Sequence, residues 1–161
     1  MDKDVKKALK NFLEIPYDDL EVMNLKAKAR AEKVSPTLLE KEYRVYLQKE
    51  KRIKAVTLCF TDLEGRFHML DYDKKFLLNS ANNLTFDGSS IRGFTQQHES
   101  DLRLLIDWGS IRFLPSDVFG PGKVMMFVDV QGRDHKPYIS DFRGLLKLYA
   151  EGLKKKNGIT A

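Results

Sequence analysis

The chain has 161 residues, 42% of them hydrophobic, with a mean hydropathy of -0.42 and a formal charge of +5 at pH 7. That length fits one domain, or one domain with a substantial appendage, and that apolar content supports a core without covalent staples. A single cysteine, Cys59, excludes an internal disulfide framework and a cysteine zinc cluster, and no apolar run approaches the roughly 18 residues of a membrane span.

No signal peptide opens the sequence, so a cytoplasmic location is expected. The charge is uneven: the first 54 residues carry 14 Lys+Arg and 10 Asp+Glu, the remainder 14 and 13. Lys and Glu alternate there as on a solvated helix surface, without the basic stripe and stacking aromatics of a nucleic-acid binder. Neither nucleic acid nor membrane is an expected partner.

In chain order, "DVKKALKNFLEI" places Val5, Ala8, Leu9, Phe12 and Ile15 at helical spacing. Pro16 ends that segment, and Asp18 is positioned to cap a second helix with Leu20, Met23 and Ala27 on one face. In "SPTLLEKEYRVYLQKEKR", Ser35 suits an N-cap, Pro36 the first helical position, and Leu39, Tyr43, Tyr46 and Leu47 an apolar stripe. These stripes can pack on one another, on the domain C-terminal to them, or on another subunit; local packing is the simplest expectation.

The pattern changes near Ile53. "IKAVTLCFTD" predicts a strand at about 53–60, Asp62 to Gly65 a turn, and "RFHML" a return strand at about 66–70. Cys59 in this run reads as a small buried hydrophobe. "KVMMFVDVQ" (123–131) predicts another strand. "FRGLLKLYAEGLKKKNG" predicts an amphipathic helix started by Asp141, with Leu145, Leu146, Tyr149 and Leu153 facing inward and Gly158 ending it. The expectation is an α+β fold: a small mixed sheet with a packed helix, preceded by a helical extension. The domains expected are 1–52 (extension) and 53–161, with an irregular segment between the hairpin and the last strand.

Within that segment lies "TFDGSSIRGFTQQHESD". Asp87, Gly88, Ser89 and Ser90 read as a tight turn in which the carboxylate accepts backbone N–H groups two or three residues on. Glu99 and Asp101 then follow in a long polar loop, the kind that serves a partner. A carboxylate can take a proton from an amine or hold a cation by charge. No Gly-rich phosphate loop accompanies these acids, and His68, His98 and His135 are scattered singly.

"FDGSSIRGF" followed by "HESD" resembles the N-terminal domain of glutamine synthetase, the glutamate–ammonia ligase. "VTLCFTDLEGRFHML" is similar to that family's first hairpin, and "VDVQGRDHKPYISDFRGLLK" to its strand, Pro-Tyr and helix segment, giving coverage of about 53 to 160. The resemblance implies a β-grasp domain in a ring-shaped oligomer, where it completes the active site of a neighbouring subunit's catalytic domain. It implies that Asp87 reaches into that site to bind ammonium and take its proton. Ser90 would support the turn, with Asp101 and Glu99 in the ammonium vicinity. No metal or cofactor site is implied in this chain; ATP and Mg2+ or Mn2+ belong to the complete enzyme, and the chain alone is expected to be inactive. Asp141-Phe142-Arg143 departs from the family's Asp-Pro-Arg, Ile106 stands before Asp107 where Pro is usual, and Asp117 and Phe119 only loosely echo its Asp-Pro-Phe. A free-standing β-grasp binding or regulatory module that docks on another protein is the alternative.

Overall fold

A computed structural model describes residues 15–91 and 93–158, with the backbone alone described at Glu99. The helix expected over 4–15 lies, but for Ile15, outside the described residues. The elements are α1 (Tyr17–Lys33), α2 (Pro36–Lys49), β1 (Ala55–Thr61), β2 (Phe67–Asp73), α3 (Lys74–Ser80), β3 (Thr85–Asp87), β4 (Asp101–Ile106), β5 (Arg112–Phe113), α4 (Ser116–Phe119), β6 (Lys123–Gln131) and α5 (Phe142–Asn157), with short 3-10 turns at Gly88–Ser90, Gln97–Glu99 and Trp108–Ser110. The strands are hydrogen-bonded in the order β2-β1-β6-β4-β3, and β5 pairs with β6. This is the α+β, β-grasp-like architecture expected from the sequence.

β1 is apolar and β-branched, and Val56 to Phe60 are buried in unbroken succession, so both of its faces are covered. β6 alternates, with Val124, Met126, Val128 and Val130 inward at full burial. Cys59 is a free, buried thiol.

The chain forms two compact units. The first takes the residues up to Leu58 with 70–80 and 107–127. Here α1 and α2 contact each other and the turn at Trp108–Ser110, and α1 also contacts β5. The Asn24 amide behaves like an added strand residue: its Nδ2 donates to Phe113 O at 3.0 Å and its Oδ1 accepts from Phe113 N at 2.8 Å. Tyr46 meets the Phe113 ring edge-on at 5.9 Å, and the Arg44 guanidinium lies 5.1 Å over the Trp108 ring while donating to Leu78 O. Gly122 is required here. Its φ is +71°, a Cβ would lie 2.3 Å from Arg52 O, and its carbonyl accepts from both Lys54 N and Ala55 N.

The second unit holds 59–69, 81–106 and the residues from Val128 onward. Its hairpin turn is organised by buried Asp62, whose Oδ1 accepts from Glu64 N and Arg66 N at 2.9 Å each while Oδ2 meets His68 Nε2 at 2.8 Å. The hydrogen bond from His68, joined by those from the Arg66 and Glu64 amides, holds its carboxyl below the ordinary value.

Three expectations are corrected, and a fourth, the cap at Ser35, is met in position only. Pro16, not Asp18, occupies the N-cap of α1, and Asp18 lies in its first turn, where a carboxylate favours the helix dipole. Ser35 stands at the N-cap of α2 but makes no side-chain cap hydrogen bond. The segment read as irregular contains α3, β3, β4, β5 and α4. The last correction concerns α5: its leucines do not face inward. Leu145, Leu146, Leu148 and Tyr149 are exposed, Leu153 is half-buried, and Gly144 is the helix's one buried residue among those described. The physical reason is the Asp129 carboxylate on β6, which pairs with Arg143 and, at 2.6 Å, with Lys147, turning the polar side of the helix to the strand. Asp141 sits at the N-cap with its buried carboxylate accepting Val130 N at 2.8 Å, and burial pushes its pKa up. Gly158 closes the helix in the left-handed conformation expected of it.

Stability should follow this burial. By urea denaturation of the 161-residue chain, Leu47→Ala, at a fully buried position, is expected to cost about 2–5 kcal/mol. Leu146→Gln, at an exposed position, is expected to change stability by no more than about 0.5 kcal/mol.

Candidate functional site

The turn at Asp87 is built by pairing β3 with β4. The register is antiparallel and sets Thr85 opposite Arg103, Phe86 opposite Leu102, and Asp87 opposite Asp101. Directly opposed residues put their side chains on the same face of a sheet with Cβ atoms ~5 Å apart. The two acids, 14 positions apart in sequence, are therefore brought together as cross-strand partners. The ladder continues one step into the turn, Gly88 N donating to Ser100 O at 2.8 Å.

Gly88 allows this pairing. It is buried, and a Cβ there would stand 2.8 Å from both Leu102 Cδ1 and Thr95 Cγ2. Below the turn, Phe94 is buried with its ring centroid 6.0 Å from those of Phe60 and Phe86 and 5.9 Å from that of Tyr138. This aromatic cluster, extended by His68 stacked on Phe60 at 5.2 Å, fixes the loop from its apolar side and leaves its polar side to solvent.

Asp87 is exposed, and its Oδ1 accepts from Ser89 N at 2.9 Å and Ser89 Oγ at 2.6 Å. Oδ2 accepts no hydrogen bond from the described residues. The Ser89 hydroxyl, with its backbone N–H, holds the Asp87 carboxyl below its ordinary pKa, because a hydrogen bond to the charged form favours that form. Ser90 Oγ donates to Asp87 O at 2.7 Å, bracing the backbone. Asp101 is exposed and forms a 3.5 Å ion pair with Arg133. The backbone of Glu99 lies in the short 3-10 turn Gln97–Glu99.

Arg133, to which the sequence assigned no role, is a cation the fold brings to this edge. His98 is exposed on a shallow cleft of about 440 Å³ with Gly93, Phe94, Thr95, Gln96 and Tyr138. His68 is engaged by Asp62, and His135 is exposed in the loop after β6. Among the described residues no three His, Cys, Asp or Glu side chains converge as metal ligands.

Comparison with known proteins matches residues 52–133 to the family described as glutamine synthetase, β-grasp domain. Glutamine synthetase of Thermus thermophilus is 35% identical over 111 residues, covering 66% of this chain and 25% of that protein. The Thermotoga maritima enzyme is 33% identical over 103 residues, covering 63% and 24%. The chain thus spans about a quarter of the length of these relatives. Among solved structures, glutamine synthetase of Plasmodium falciparum superposes with a TM-score of 0.63 at 22% identity over 72% of this chain and 22% of that one, a likeness of fold.

Two measurements probe the turn. Gly88→Ala is expected to destabilise the chain by about 1–3 kcal/mol in denaturant melts, because the added methyl must displace Leu102 and Thr95. Ser89→Ala is expected to move the Asp87 pKa up toward the ordinary carboxylate value in an NMR pH titration. Because the folded-state pKa of Asp87 is depressed, its contribution to stability is present above the unfolded-state pKa and is lost as pH falls through the folded one.

Proposed function

The chain belongs to the glutamine synthetase family through its β-grasp domain, and on that premise we propose that it supplies the ammonium-side wall of a glutamine synthetase active site. A catalytic domain of a neighbouring subunit supplies the rest. The observation that carries this reading is the pairing of Asp87 with Asp101 across one ladder, both exposed, inside the matched segment. Two adjacent carboxylates raise the local negative potential and favour a small cation such as ammonium.

The depressed pKa of Asp87 bears on its role. A carboxylate held in the charged form attracts ammonium strongly but accepts a proton reluctantly. Asp87 therefore binds and orients ammonium first and then takes one of its protons, which frees the nitrogen lone pair. The lone pair of the resulting ammonia attacks the carbonyl carbon of γ-glutamyl phosphate, the C–N bond forms, phosphate leaves with the C–O bonding pair, and the surplus proton on the nitrogen passes to the departing phosphate. ATP, with Mg2+ or Mn2+, supplies the activating phosphoryl group in the complete enzyme. Ser90 keeps the turn in shape, Asp101 adds charge, and Arg133 holds Asp101 in place; Glu99 belongs to the same vicinity.

The exposed leucine face of α5 supports a chain that docks on a partner, and it serves equally a free-standing β-grasp module that docks on and regulates another protein. The two readings part at Asp87, which the second does not need for chemistry. The 161-residue chain alone is expected to form no glutamine. In a complex reconstituted with a glutamine synthetase catalytic domain, Asp87→Asn is expected to lower glutamine formation about 10²–10⁴-fold while assembly, followed by sedimentation, stays unchanged. Equal loss of activity and assembly would reduce Asp87 to a structural turn and favour the docking module.

A further inference from the structure

Four lysines of the first unit, Lys51, Lys54, Lys74 and Lys75, line one cleft of about 510 Å³ together with Gln48, Asp73, Leu78 and Asn79. The cleft is formed where the link between α2 and β1 meets the junction of β2 with α3. Backbone hydrogen bonds fix that meeting: Lys74 N donates to Lys54 O at 2.9 Å, and Lys54 N to Gly122 O at 2.8 Å. The Lys74 ammonium is itself anchored, donating to Glu50 O at 2.7 Å.

Two carboxylates lie nearby, Glu50 and Asp73, and the charge of each acts on Lys74. Glu50 is occupied by Arg52, its Oε1 accepting from Arg52 N and Nε and its Oε2 from Nη2, all at 2.9–3.0 Å. Asp73, the one acid lining the cleft, uses Oδ1 to accept the backbone N–H groups of Lys75 and Phe76. Four lysines thus share the cleft with a single acid. Burial first, and then the charge of Lys54, lower the pKa of Lys74, as expected of a cation beside like charge.

We propose that this cleft binds a small anion bearing two or more linked phosphate groups. A cleft of about 510 Å³ lined by four lysines is larger than one phosphate needs and offers more cationic groups than one phosphate uses, which favours a linked diphosphate or triphosphate. Lysine ammoniums are mobile point charges suited to tetrahedral oxyanions, and Leu78 is the one apolar side chain among the eight that line the cleft. This site is independent of the ammonium-binding reading and stands whether or not that reading holds.

Calorimetric titration of the 161-residue chain with inorganic pyrophosphate at ~0.15 M salt tests it. Pyrophosphate is expected to bind one-to-one and about tenfold or more tighter than orthophosphate. The double variant Lys51→Gln/Lys75→Gln, at exposed positions, is expected to weaken it about tenfold or more. Lys154→Gln/Lys155→Gln on α5 removes the same charge from an exposed helix end and is expected to leave it unchanged. Amide shifts confined to Lys54, Lys74 and Lys75 in NMR spectra would agree. Equal weakening by both double variants would mean diffuse attraction to a cationic chain and overturn the proposal, as would equal affinity for orthophosphate or no binding at that salt.

Discussion

Gly88 lies against Leu102 and Thr95 so closely that a Cβ would stand 2.8 Å from a carbon of each, and the course of residues 85–101 depends on that contact. With no side chain at this position, β3 can run up to β4, Gly88 N reaches Ser100 O, and the register sets Asp87 against Asp101. The close approach would be worthless if the loop beyond it wandered. Phe94 prevents this by burying its ring among Phe60, Phe86 and Tyr138, so the apolar underside of the loop stabilises the geometry of its polar upper side.

The placement of the charges obeys a related constraint. Asp62 and Asp141 are buried carboxylates held by backbone N–H groups and, at Asp62, by His68 as well, as burial of a charged group demands. Asp129 holds α5 by two cations. Asp87 and Asp101 differ, since each keeps solvent-exposed surface that no internal hydrogen bond of the described residues requires. The lysines about residues 51–75 show the converse, four cations gathered about one cleft.

Helix α5 displays the same competition between charge and apolar burial. A 16-residue helix with Leu145, Leu146, Leu148 and Tyr149 exposed leaves apolar area in water that would ordinarily be driven inward. Two ion pairs to Asp129 and the buried Asp141 N-cap fix the opposite orientation. The apolar face is thereby presented outward.

The sequence by itself determined β1 and β6, because an apolar β-branched run and a strict two-residue alternation are local signals, and it determined the Asp87 turn, because Asp-Gly-Ser-Ser has a local hydrogen-bonding solution. β4 was also legible in the alternation of Leu102, Leu104 and Ile106, all buried, and was overshadowed by the polar residues before it. Three features were decided only by tertiary structure. The pairing of Asp87 with Asp101 depends on a register that Gly88 permits and no local rule encodes. The outward face of α5 depends on Asp129, a residue of another strand, since helical periodicity reveals a stripe but not which side is covered. The gathering of Lys51 and Lys54 with Lys74 and Lys75 depends on backbone bonds between segments some 20 residues apart, and charge proximity of that kind exists only once the chain has folded.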